Sequence, residues 1–146
     1  MRGPAIAIAA AALSVAGGCG DSENRGYVDR VDAIGRELVA TASDLTEDAA
    51  RGSPASEASR DFARLSRAAE RQADELAAIA PPEEAKEGHD RLVTAMLSFA
   101  AASRRAADAV SARDPRALKR AARELSPTGP ALTDINGAIS AINRAL

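Results

Sequence analysis

The side chains of this chain that could do chemistry are few. Cys19 is the only cysteine and His89 the only histidine. With no second thiol, Cys19 can form no disulfide within the chain. A Ser-His-Asp system would have to run through His89, and no nucleophile elbow accompanies it. His89 stands three and four residues before Leu92 and Val93, on the apolar phase of its segment, with Glu87 and Asp90 close by. A metal site would combine that imidazole with carboxylates. Bundle iron sites built on a Glu-x-x-His pair from each of two helices are excluded, because one histidine cannot supply two pairs. There is no Cys-x-x-Cys-His for covalent haem. Met96 lies on the same predicted helix as His89, seven residues on, so the two cannot both be axial ligands of one haem. His89 is therefore expected to be packed and hydrogen-bonded near the end of a helical domain. No cofactor, no metal site and no catalytic residue is expected. Gly17, Gly18 and Gly20 do not follow a strand, so they form no phosphate loop.

Two sets of basic residues stand out by spacing. Arg113, Arg116, Lys119, Arg120 and Arg123 recur at three- and four-residue steps, which places them on one helix face. Such a strip could dock an acidic envelope protein or an anionic envelope polymer, or it could be a solvated face. Arg60, Arg64, Arg67 and Arg71 also share a face, but Glu57, Asp61, Glu70 and Asp74 are interleaved with them. That pattern is expected to be ion-pair solvation. Nineteen basic residues against 21 acidic ones give a net charge of −2, which does not fit a general nucleic-acid binder.

The chain opens with a single charge at Arg2, followed by an uncharged apolar run from Ala5 to Ala16 and then small residues. A run of this length suits the core of an export signal. It is shorter than the roughly 20 apolar residues of a membrane span. Its end, Val15-Ala16-Gly17-Gly18-Cys19, resembles the lipobox of bacterial lipoproteins cleaved by signal peptidase II. The resemblance implies that residues 1–18 are a signal peptide, that Cys19 receives a diacylglycerol and becomes the first residue, and that the remainder sits at the extracytoplasmic face of the cell membrane. The other reading is an ordinary signal peptide that leaves a free thiol. Residues 19–26 then form the lipidated cysteine and a polar tether, and residues 27–146 a helical domain. In composition that domain is similar to small helical lipoproteins of GC-rich bacteria: it is rich in Ala, Leu, Arg and Glu, and only Lys86 and Lys119 are lysines.

Apolar periodicity predicts four helical segments. The first runs from Tyr27 to Arg51, with Val28, Val31, Ile34, Leu38, Val39, Ala42, Leu45 and Ala49 as its stripe. Gly35 lies on the same line, which suggests a close neighbouring helix. Gly52-Ser53-Pro54 reads as a break, with Ser53 as cap and Pro54 in the first turn. The second segment extends to Ala80 through Ala58, Phe62, Leu65, Ala69, Gln72, Leu76 and Ile79, and Pro81-Pro82 stops it. The third runs from Glu83 to Ala112 through Leu92, Val93, Met96, Phe99, Ala100, Ser103, Ala106, Ala107 and Val110. Gln72 and Ser103 could pair across the core and fix register, or mark a polar pocket.

Asp114-Pro115 caps the fourth segment, which reaches Leu146. Its phase of Leu118, Ala121, Leu125, Thr128, Leu132, Ile135, Ile139, Ile142 and Leu146 persists across Pro127 and Pro130, so one bent helix or two nearly collinear ones are expected. Short turns between similar segments point to an all-α, antiparallel up-down-up-down four-helix bundle. A three-helix core whose fourth segment dimerises is the alternative. The functional expectation is a non-enzymatic binding or scaffolding module of the cell envelope. The alternatives are a carrier of a small apolar ligand held near Pro127 and Pro130, and a metal- or haem-associated bundle.

Overall fold

The computed structural model describes residues 22–50, 54–126 and 128–146. Among them the chain is all-α, with helices α1 (Ser22–Ala50), α2 (Ala55–Ala77), α3 (Lys86–Ser111), α4 (Pro115–Glu124) and α5 (Pro130–Ala145). A 3-10 turn over Glu83–Ala85 leads into α3. α1 begins five residues before the expected Tyr27, so residues 22–26 of the expected tether are helical. Gly26 costs that first turn about 1 kcal/mol relative to alanine, too little to stop a helix of this length. Pro54 occupies the capping position of α2, one place earlier than expected, and its carbonyl accepts from Glu57 N at 2.9 Å. Ser53, the expected cap, and Gly52 lie outside the described residues, as does Pro127. α2 stops at Ala77, three residues short of Ala80, because the approach to Pro81-Pro82 must leave the helical region.

α3 is the centre of the molecule. It packs against α2 most extensively, then against α5 and α4. Twelve of its residues are buried. Besides the expected stripe, Ala95, Ala102 and Ala109 are buried on a second face. Alanine makes this possible: a helix flanked on two sides must keep its side chains short if both neighbours are to approach. Ser59, near the start of α2, donates to the carbonyl of Ala107 at 3.0 Å and hydrogen-bonds Ser111 at 2.7 Å, both near the end of α3, so these helices run antiparallel. The fourth segment is two helices. Glu124, ending α4, pairs with Arg105 in the second half of α3. Near the other end, Ile142 of α5 lies against Gly88. α4 and α5 thus lie in succession along α3, against its direction.

α1 packs against α2. It also reaches the start of α3 through Tyr27, whose hydroxyl lies 3.1 Å from His89 Nδ1. The expected core line holds for Val28, Val31, Ile34 and Leu38, joined by Tyr27. The side chains of Val39, Ala42, Leu45 and Ala49 are outside the described set. Gly35 corrects the expectation placed on it: it is exposed, and a Cβ there would meet nothing within 4 Å. The close approach belongs to Gly88, where a Cβ would stand 2.8 Å from Ile142 Cγ1 and 3.0 Å from its backbone nitrogen.

Gln72 and Ser103 are both buried but do not pair. Ser103 donates to the carbonyl of Phe99 one turn back at 3.0 Å, and neither polar atom of Gln72 has a partner among the described residues. A serine in mid-helix reaches its own backbone more readily than a neighbour. Thr128, expected in the apolar line, is exposed in the turn between α4 and α5.

Candidate functional site

The turn from α3 into α4 is built from two terminal motifs in immediate succession. α3 ends in a Schellman motif: Asp114 N donates to the Ala109 carbonyl at 2.9 Å and Arg113 N to the Val110 carbonyl at 3.1 Å. Such a motif needs a left-handed residue, usually glycine. Here that residue is Arg113, with φ of 53°, so its Cβ crowds the backbone. Asp114 then caps α4, its carboxylate accepting from Arg116 N at 2.9 Å and Ala117 N at 3.0 Å. Pro115 fills the first helical position, as expected.

α4 is anchored on its inner face by buried Ala121 and by Leu125 just beyond its end. Its outer face carries Arg116, Lys119, Arg120 and Arg123, all exposed, with Arg113 exposed at its head. Arg116, Lys119, Arg120 and Arg123 thus share one exposed face of α4, whereas Arg113, expected on the same face, lies outside the helix in the left-handed turn before its cap. The two carboxylates nearest in sequence are already engaged: Asp114 in the cap, Glu124 with Arg105. Among the described residues no salt bridge involves the five cations. The side chains of Asp44, Glu47 and Asp48 of α1 lie outside the described set.

Of the four α2 arginines expected to be ion-paired, only Arg64 enters a salt bridge among the described residues. Arg64 lies 3.8 Å from Asp61 on its own helix, and Glu70 pairs with Arg104 of α3.

His89 is 3 % exposed. Tyr27 is 1 % exposed, and burial raises its pKa from 10.0 to about 12. The phenol is therefore protonated at neutral pH, and it shares one hydrogen bond with His89 Nδ1 whose direction follows the imidazole tautomer. This meets the expectation of a packed, hydrogen-bonded histidine. The partner was not foreseen, since residue 27 lies 62 positions away. Among the described residues no group of three or more His, Cys, Asp and Glu side chains could hold a metal ion. No described helix is long and apolar enough to cross a membrane. Cys19 lies outside the described residues.

A groove of about 390 Å³ runs between α3 and α5, lined by Glu87, Asp90, Arg91, Thr94, Ala95, Ser98 and Asp134. It is open, and all of its lining residues but Ala95 are polar or charged. No protein-family model, curated protein sequence or solved structure matches this chain.

Proposed function

We propose that this protein is a lipid-anchored module of the extracytoplasmic face of the cell membrane, and that it works by binding or scaffolding rather than catalysis. The observation that carries the reading is the apolar leader ending in Val15-Ala16-Gly17-Gly18-Cys19. Diacylglycerol on Cys19 would hold the chain at the bilayer without a spanning segment. The start of α1 at Ser22 fits this arrangement, since three residues of chain reach about 10 Å at most and keep the domain beside the lipid.

In the same reading the domain is an up-down-up-down four-helix bundle whose fourth rod is α4 followed by α5. Three pairings favour it: α2 against α3, α4 and α5 along α3, and Tyr27 of α1 meeting His89 at the head of α3. The end carrying Pro81-Pro82 and the start of α3 then faces the membrane. The strip from Arg113 to Arg123 faces outward, where an envelope protein or an anionic polymer can reach it.

Mass analysis of the N-terminal peptide from native membranes tests the anchor. A diacylglyceryl adduct on Cys19 is expected, and a bare thiol would overturn it. Crosslinking in intact cells followed by mass spectrometry tests the binding role. Crosslinks from the α4 face to one recurrent partner support it, and a chain that crosslinks to nothing argues against it.

A further inference from the structure

The chain holds three asparagines, Asn24, Asn136 and Asn143, and only Asn136 is followed by glycine; the other two precede arginine. An asparagine before glycine has a chemistry of its own. The backbone nitrogen of Gly137 can attack the side-chain carbonyl carbon of Asn136, and with no Cβ on residue 137 little crowds the approach. A bond forms from that nitrogen to Cγ of Asn136, the Cγ–Nδ2 bond breaks, and ammonia leaves with the amide proton of Gly137. The cyclic imide that results takes up water at either carbonyl. One opening gives aspartate. The other gives isoaspartate, in which the main chain runs through the former side chain and gains a carbon atom.

Asn136 and Gly137 lie in the middle of α5, and both are exposed. Water reaches the pair, but the helix holds it shut. In an α-helix the N–H of Gly137 is committed to the carbonyl four residues back. Side chains also lean towards the N-terminus, away from the next backbone nitrogen. The attack therefore requires this turn to open. The same pair makes the turn weak, since glycine costs a helix interior about 1 kcal/mol relative to alanine and asparagine is also a poor helix former. No packing calls for the glycine: a Cβ on Gly137 would meet nothing within 4 Å.

The consequence falls on the inner face. Ala131, Ile135, Ala138 and Ile142 are the buried residues of α5, at steps of four, three and four. An extra main-chain carbon at position 136 puts Ala138 and Ile142 out of phase with Ala131 and Ile135. It is Ile142 that lies against Gly88 of α3, so an isoaspartyl α5 cannot reseat both its halves.

We propose that Asn136-Gly137 is a self-modification site that α5 keeps closed, so that opening of this helix is converted into a permanent change of the chain. This goes beyond the binding role and does not depend on the lipid anchor.

The test incubates the full chain, purified in detergent, in mildly alkaline buffer with and without urea. Deamidation is mapped by peptide mass spectrometry, and isoaspartate is told from aspartate by electron-transfer fragmentation. In urea, conversion should concentrate at Asn136, with Asn143 of the same helix as internal reference. In native buffer Asn136 should convert at least about tenfold more slowly, because the rate follows the fraction of time the turn is open. Equal rates in the two buffers overturn closure by α5. Conversion in urea no faster at Asn136 than at Asn143 overturns the site. G137A should slow conversion in urea, and an unchanged rate overturns that nitrogen as the attacking atom. The isoaspartyl chain, refolded from urea, should unfold at lower urea than the parent. N136D, which carries the new charge on an unaltered main chain, should stay close to the parent. A parent-like midpoint for the isoaspartyl chain overturns the permanent change, and an equal fall in N136D overturns the argument from helix phase.

Discussion

The two flanks of α3 are held in different ways. On one side α2 is a single helix of 23 residues with no internal proline. It is tied to α3 by a long seam and by hydrogen bonds from Ser59. On the other side the chain covers a similar length with two short helices, and each depends on how it starts and stops: an Asp114 cap, an Arg113 turn, a Gly129 corner. The same contrast extends to charge. Glu57, Asp61, Glu70 and Asp74 are interleaved with the arginines of α2, whereas the carboxylates beside those of α4, Asp114 and Glu124, are engaged in the cap and with Arg105. A continuous helix tolerates local imperfection because each residue contributes little. A split one concentrates its stability at a few termini.

The largest effect should come from the corner. A Cβ on Gly129 would stand 2.3 Å from the Arg123 carbonyl oxygen and 2.5 Å from that of Glu124. The conflict is with backbone, so Gly129→Ala should cost about 3 kcal/mol, read as a lower midpoint in urea. No single alanine substitution on the exposed face of α2 should approach that. Next, Gly88→Ala sets a helix-propensity gain of about 1 kcal/mol against contact with the Ile142 backbone. A net loss of about 1–2 kcal/mol is expected, and a gain would show that α5 can slide on α3.

On the α2 flank the expected sign is reversed. Gln72 is buried with both polar atoms unpartnered, so Gln72→Leu should stabilise by about 1–2 kcal/mol, seen as a higher urea midpoint. Loss of stability would mean that the amide holds a water or a register the seam needs.

The caps come last. Asp114→Ala should cost about 1 kcal/mol, and Arg113→Gly should add about 1 kcal/mol by relieving the left-handed arginine. An alkaline titration supplies a control outside both flanks. Tyr27 has a folded pKa of about 12 against 10.0 in the unfolded chain. Its contribution is complete below pH 10 and lost as pH rises towards 12. Tyr27→Phe should be less stable than the parent at pH 8 and should lack that alkaline step.

Much of the helical layout was legible in the chain. Period-three-and-four stripes and the Asp114-Pro115 signal located all the helical segments, because an amphipathic face and a first-turn proline are local properties. The interiors of α2 and α3 follow those stripes closely, from Leu65 to Leu76 and from Leu92 to Ala107. What escaped was pairwise. Gly35 and Gly88 look alike in sequence, and only the position of Ile142 tells which one a neighbour crowds. Gln72 and Ser103 both interrupt apolar lines, yet each one's partner depends on helix rotation. The strip residues were visible from spacing alone. The commitment of Asp114 and Glu124 to other partners needed three dimensions.

The central position of α3 also orders the molecule in time. Its amides are covered on two sides, so they should exchange with deuterium only when the whole domain opens. α1 leans on α2 and on a single phenol–imidazole contact, so its amides are free to exchange by a smaller, earlier opening that leaves the other helices closed.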